Sequence, residues 1–161
     1  MKQNPIKVDR VKEVLESIDR LTRSRVLVGI PEDKSGRSEA MTNASIGYIM
    51  ENGAPEANIP ARPHLVPAIK EIQGKIGTRF KSMAKKAVTL GTDSSSIVES
   101  GLNGIGLIAQ AAVRKKITDG PFIPLKKSTI AARKRKGFSG TKPLIRTGQY
   151  RNAISYVIRK T

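Results

Sequence analysis

The stretch NIPARPHLVPAIKE, from Asn58 to Glu71, decides how the middle of the chain folds. It contains three prolines, Pro60, Pro63 and Pro67, and the only histidine of the chain, His64. Because proline restricts the backbone, such a segment loses less conformational entropy when it becomes ordered. An apolar run with helical spacing follows at once. The stretch is therefore predicted to be a stiff lead-in to a long helix.

The long helix is predicted to reach about Leu90, with Gly91 as its stop. A proline is tolerated in its first turn, where the missing N–H would have no partner in any case. The apolar positions recur with helical spacing. They are Leu65, Ile69, Ile72, Ile76, Phe80, Met83 and Val88.

A second, glycine-rich helix is predicted from about Asp93 to Ile117, with Asp93 or a serine as its cap. Each helical glycine costs up to ~1 kcal/mol relative to alanine. We therefore expect another helix to pack closely against the face formed by Leu102, Ile105 and Ala109. The glycines concerned are Gly101, Gly104 and Gly106.

The N-terminal third is predicted to begin with an amphipathic helix from about Val8 to Arg23. The β-branched run Arg25–Pro31 is typical of a strand. A polar loop follows, and then a short helix with Asn43 as a possible N-cap and Gly53 as its stop.

The C-terminal segment alternates apolar and polar residues over 154–160, which predicts a strand, and Thr147 or Gly148 is expected to start a short helical turn before it. The basic stretch 119–146 is predicted to be an extended loop or arm, with a helical turn from Lys127 to Arg135. The chain is thus predicted to be one α+β domain over 1–161. Its small antiparallel sheet, with strands near 25–31 and 154–160, packs with several helices.

The charge of the chain indicates a polyanionic neighbour. Thirty Lys and Arg residues against 13 Asp and Glu residues give a formal net charge of +17. After Glu99 the only acidic residue is Asp119, so the C-terminal third is almost purely basic. Such a field attracts nucleic acid, acidic lipid or an acidic protein surface.

The absence of cysteine excludes disulfides and thiolate metal sites. No apolar h-region of a signal peptide is visible at the N-terminus. No apolar run approaches the ~20 residues that a membrane-spanning helix needs, so no membrane partner is expected.

No catalytic, metal or cofactor site is predicted. The lone His64 is interpreted as a surface or interface side chain. The acidic residues Asp33, Glu39, Glu51 and Glu56 are interpreted as solvated charges rather than halves of an acid–base pair. The glycines of GLNGIGLIAQ do not form a phosphate loop, because no G-K-[ST] follows them and no strand precedes them.

Four consecutive cations, Arg133, Lys134, Arg135 and Lys136, form a basic run. They could neutralise phosphates and give salt-dependent binding without sequence preference. No zinc ligands or aromatic stacking platform accompany them. The alternative is a solvated charged loop, and the residues leave both open.

The proline segment also has two interpretations. A rigid, apolar strip with an arginine suits contact with another protein, since arginine is favoured at interface anchors. The alternative is a stiff connector that docks the long helix onto its own core.

The segment YIMENGAPEANIPARPHLVPAIKE resembles a signature of the neck proteins of long-tailed bacteriophages, which are described as tail-completion, head–tail joining or virion morphogenesis proteins. The matching positions are Tyr48, Asn52-Gly53, Ile59-Pro60, Arg62-Pro63 and Leu65. A second segment, PLKKSTIAARKRKG followed by KPLIRTGQYRNAISYVI, is similar to another element of that family. It matches at Pro124-Leu125, Thr129-Ile130, Pro143-Leu144, Thr147-Gly148, Tyr150 and Ile154.

The resemblance implies a structural subunit of the virion neck, assembled in the host cytoplasm. Six or twelve copies would form a ring between the portal-side connector and the tail terminator or tail tube, and DNA would pass through its axis. The family often has an aromatic residue where His64 lies and an acidic residue where Arg146 lies. The expected protein-interface residues are Ile59, Pro60, Arg62, Pro63, His64, Leu65, Pro124, Leu125, Leu144 and Arg146.

In this interpretation Arg133–Lys136 faces DNA transiently or faces a partner protein. The alternative function is a free-standing basic module that binds nucleic acid without sequence preference.

Overall fold

The computed structural model describes residues 11–34, 36, 41–90 and 94–160. Several predictions concern positions outside these residues: the start of the first helix at Val8, Glu39 in the polar loop, Gly91 as a stop and Asp93 as a cap. The described residues form six α-helices and two strands. In chain order they are α1 (Val11–Arg23), β1 (Ser24–Gly29), α2 (Asn43–Asn52), α3 (Leu65–Leu90), α4 (Ser94–Asp119), α5 (Lys127–Arg135), α6 (Gln149–Ala153) and β2 (Ser155–Lys160).

The two strands pair antiparallel, from Ser24 opposite Lys160 to Gly29 opposite Ser155. Their inner face lies against α4, where Tyr156 donates from its hydroxyl to Asn103 at 3.0 Å. The predicted α+β fold with a small antiparallel sheet is confirmed, and each strand lies within two residues of its predicted bounds.

The long helices α3 and α4 pack along each other and form the centre of the molecule. Leu102, Ile105 and Ala109 of α4 are buried, as predicted. Close approach explains two of the three glycines. A Cβ on Gly101 would lie 2.1 Å from the Met83 sulfur, and one on Gly106 would lie 2.2 Å from the Tyr156 ring.

Two apolar clusters fill the interior. One lies where α3 begins and α4 ends: Ala68, Val113, Ile117, Leu144, Tyr150 and Ile154. The other lies toward the opposite ends of these helices: Met83, Ala87, Val98 and Leu102, covered by side chains of α1 and both strands. The chain therefore has a core at each end of the helix pair.

One sequence expectation needs correction at α4. Its segment Ser95–Asp119 spans 25 residues and contains an 18-residue window with a mean hydropathy of 1.2, which is long and apolar enough to cross a membrane by length and composition alone. Its buried face packs against α1, α3 and both strands, as expected for the central helix of a folded domain.

The short helix α2 ends as predicted but begins differently. Gly53 is the C-cap, with a φ of 80° that favours glycine. The N-cap is Thr42, whose hydroxyl accepts from the backbone N–H of Ser45, so the prediction of Asn43 is wrong. Asn43 is instead buried and donates to the carbonyl of Lys34 at 3.1 Å.

Candidate functional site

The N-terminus of α3 is capped by a carboxylate from α2. Glu51 accepts hydrogen bonds from three consecutive backbone N–H groups: His64 at 2.8 Å, Leu65 at 3.0 Å and Val66 at 3.0 Å. These donors have no partner inside the helix, and the helix dipole favours a negative charge there. Glu51 thus joins two helices that the proline segment separates in sequence.

The ionised form of Glu51 is favoured at this position. Burial raises the pKa of the carboxyl group, but the three backbone donors and the nearby His64 lower it further than burial raises it. The net effect is a pKa below the usual value. The prediction that Glu51 is a solvated charge is therefore wrong.

His64 is buried, with 1% of its surface exposed. Its Nδ1 lies 2.8 Å from the carbonyl oxygen of Arg62, which can only accept, so Nδ1 carries a proton. Its Nε2 is hydrogen-bonded to the Tyr150 hydroxyl. The interpretation of His64 as a surface side chain is wrong, because the ring is buried within the fold of this chain.

Tyr150 stays protonated in this setting. Burial first, and the negative charge of Glu51 second, raise the pKa of its hydroxyl above the usual range. The rings of Tyr150 and Phe122 both meet His64 edge-on, with centroid distances of 5.6 and 6.5 Å. Glu51, Arg62, His64 and Tyr150 form a buried polar cluster, called the joint below.

Arg62 belongs to the same joint, with 6% of its surface exposed. Its Nε donates to the carbonyl of Ile123 at 3.2 Å, and its backbone N–H donates to Met50 at 2.6 Å. Burial lowers the pKa of its guanidinium. The Arg62 side chain is therefore not free to contact a partner protein. Its contacts match the alternative, a stiff connector that docks the long helix onto its own core.

The remaining residues predicted for the interface divide between interior and surface. Leu144 is buried in the core. Arg146 is half-buried, with its guanidinium 5.2 Å from the centre of the Phe138 ring. Pro63 and Pro124 are exposed, and the half-buried ones are Ile59, Pro60, Leu65 and Leu125.

The basic run is split by the fold. The Arg133 guanidinium donates to the carbonyls of Gly140, Lys142, Pro143 and Ile145 at 2.9–3.1 Å. Burial first, and then the charges of Arg146 and Arg62, lower its pKa. Arg133 therefore holds a loop closed, and the expectation that it is solvated on an arm leaving the domain is wrong. The run's other three cations, Lys134, Arg135 and Lys136, are exposed, and α5 has the predicted bounds Lys127–Arg135.

Three exposed apolar side chains lie next to the joint. Tyr48 is 73% exposed one turn before Glu51, and Val66 is 49% exposed beside the backbone N–H that Glu51 binds. Ile123 is 58% exposed, and its carbonyl binds Arg62. One feature of the sequence indicates the joint. Glu51 lies in the last turn of α2, where the helix dipole disfavours a negative charge, so a partner outside α2 is expected for its carboxylate.

Comparisons of the chain with models of protein families, with curated proteins and with solved structures find no match. The resemblance to phage neck proteins therefore depends on the two motifs alone. Within the residues that the structure describes, no three His, Asp or Glu side chains are grouped so as to hold a metal ion.

Proposed function

We propose that the protein is a structural, non-catalytic subunit of a bacteriophage neck. Several copies would form a ring that joins the DNA-filled head to the tail and lets DNA pass through its axis. The observation that carries the proposal is the meeting of the two family-like motifs in the joint. His64 of the first motif is hydrogen-bonded to Tyr150 of the second, although they are 86 positions apart in the chain.

The contact between the motifs supports the proposal because it makes them one structural unit. Residues of the two motifs contribute buried polar groups that satisfy one another, and buried polar networks of this kind position segments rigidly. A ring subunit needs such rigidity, since an interface made from pre-ordered segments loses less entropy on assembly.

The surface beside the joint is the proposed ring or connector contact. Large exposed apolar side chains that lie close together mark interaction sites more often than isolated ones do. Tyr48, Val66 and Ile123 come from three separate segments that the joint brings together. The proposed contact therefore uses exposed residues rather than the buried Arg62 and His64.

The test combines assembly with infection. We expect Tyr48→Ser with Val66→Ser to fold with a melting temperature close to that of the parent, because neither side chain is buried. The same protein is expected to fail in joining heads to tails, seen by electron microscopy as separate full heads and free tails. Leu107→Ser is the control, since Leu107 is 55% exposed on α4 outside these segments. Normal virion yield from the double variant would contradict the proposed contact.

A free-standing nucleic-acid-binding module remains the second candidate, favoured by the net charge of +17. The two functions differ in what a single copy does at physiological salt. A neck subunit is expected to bind duplex DNA weakly as a monomer, because exposed charges are screened beyond about 8 Å. Tight binding by the monomer in a gel shift at that salt would favour the module.

A further inference from the structure

We infer that the groove between α3 and the first half of α4 binds the phosphate backbone of nucleic acid. The groove has a volume of about 430 Å³. Arg79, Ser82 and Lys86 line it from α3, while Ser96, Ser100 and Gly104 line it from α4. Arginine, lysine and serine are the side chains that most often contact phosphates in protein–DNA complexes.

The two cations are placed to contact a single strand of phosphates. Arg79 and Lys86 lie seven residues apart, which is two turns on one face of α3 and about 10 Å along its axis. Neither side chain makes a hydrogen bond or ion pair within the described part of the chain. Their charges are thus available to a ligand.

The rest of α3 in this region adds charge of the same sign. Between Ile72 and Leu90 its five charged residues are all basic and all exposed: Lys75, Arg79, Lys81, Lys85 and Lys86. Glu71, one turn before Lys75, is bound to Lys116 instead. Like charges four residues apart destabilise a helix slightly, as in the pair Lys81 and Lys85. A polyanion on this surface would remove that repulsion.

No described carboxylate lines the groove. Among the described residues, Glu99 is the acidic residue in the first half of α4. It lines a different surface, together with Arg20 and Lys160. A carboxylate in the groove would repel phosphate, so its absence among the lining residues favours an anionic ligand.

Gly104 gives the groove its open wall. A Cβ there would meet nothing within 4 Å, so packing does not require this glycine, in contrast to Gly101 beside Met83. A substitution at Gly104 can therefore change the charge of the groove without forcing a shift of its neighbours. Glutamate and glutamine both favour a helix more than glycine does, so neither should unfold α4.

The experiment measures binding of the whole chain to a short DNA duplex of arbitrary sequence by fluorescence anisotropy. Salt is varied between about 50 and 200 mM, the range in which phosphate contacts dominate the change in affinity. We expect Gly104→Glu to weaken binding roughly tenfold at the low-salt end, because a carboxylate then faces the phosphates. Gly104→Gln is the matched neutral control and should remain within about twofold of the parent.

Three further variants distinguish an effect of the groove from an effect of net charge. Gly74→Glu adds the same charge to an open position on α3, where a Cβ also meets nothing within 4 Å. It should have a much smaller effect than Gly104→Glu. The double variant Arg79→Gln, Lys86→Gln should make the plot of log affinity against log salt shallower by about 1.8, since each phosphate contact contributes about 0.9. The double variant Arg25→Gln, Arg159→Gln loses equal charge at exposed positions on the two strands, outside the groove, and should leave the slope near that of the parent.

Several outcomes would overturn the inference. They are no DNA binding at the low-salt end, equal binding by Gly104→Glu and Gly104→Gln, or equal slopes for the two double variants. If Gly104→Glu loses binding to anionic lipid vesicles but keeps its DNA binding, the groove is assigned to a membrane surface instead. At the low-salt end, where screening is weaker, a single copy is expected to bind whether or not a ring forms, so failure of the neck assignment would leave this result standing.

Discussion

The two ends of α3 use charge in opposite ways. At its start, the side chains of Glu51 and Arg62 are withdrawn from solvent and bonded to backbone groups. In its second half, cations such as Arg79 and Lys86 are exposed and have no partner in the described chain. At the start of α3 the charged side chains therefore hold segments together, whereas Arg79 and Lys86 in its second half are available for binding.

The largest effect is expected from truncating the buried arginine of the joint. Arg62→Ala should lower the free energy of unfolding by about 3 kcal/mol, because it removes charged hydrogen bonds and leaves a cavity. Arg79→Ala should change it by less than about 0.5 kcal/mol, since that side chain is exposed. Urea unfolding followed by circular dichroism measures both. Equal free energies of unfolding for the two variants would show that the buried Arg62 stabilises the fold no more than the exposed Arg79 does.

The next effect concerns the carboxylate cap. Glu51→Ala should cost about 2 kcal/mol, because it leaves three backbone N–H groups at the start of α3 without their acceptor. Glu56→Ala is the control, since Glu56 is exposed near the same turn and should cost less than about 0.5 kcal/mol. Equal melting temperatures for the two variants would show that water replaces the carboxylate without loss.

A smaller cost is expected within the basic run. Arg133→Lys should lower stability by about 1–2 kcal/mol, because an ammonium group cannot reach the four carbonyls that the guanidinium binds. Arg135→Lys should have almost no effect, as Arg135 is exposed. Thermal unfolding of the two proteins compares a structural cation with a solvated one two positions away. If Arg133→Lys unfolds at the same temperature as the parent, Arg133 behaves as a solvated cation.

The joint also predicts how stability depends on pH. The folded-state pKa of Glu51 is lowered, so its contribution is present above the unfolded value of about 4.3 and is lost as pH falls through the folded value. We expect part of the loss of stability in acid to disappear in Glu51→Gln. The measurement is the unfolding free energy of both proteins from neutral pH down to about pH 3. Parallel curves would mean that Glu51 does not contribute to the acid response.

Much of the framework follows from local sequence patterns. The spacing of apolar residues in α3, the stop at Gly53 and the alternation over 154–160 each depend on neighbours a few positions away. The bounds of α4, α5 and both strands were therefore predicted within about two residues. Close packing against α4 followed in the same way from the cost of Gly101 and Gly106 in a helix. The polar cap was less well predicted, because Thr42 and Asn43 are both common caps.

The sequence by itself thus determined the helices, the strands, the α+β class and the excess of positive charge. Only the tertiary structure decided which charged groups are free. Arg62 finds its acceptor 61 positions away and His64 finds its hydroxyl partner 86 positions away. Arg133 closes a loop of its own neighbours, while Arg79 finds no partner among the residues that the structure describes. The physical reason is that periodicity is set by local backbone geometry. The state of a charge depends on desolvation and on acceptors that folding brings from distant parts of the chain.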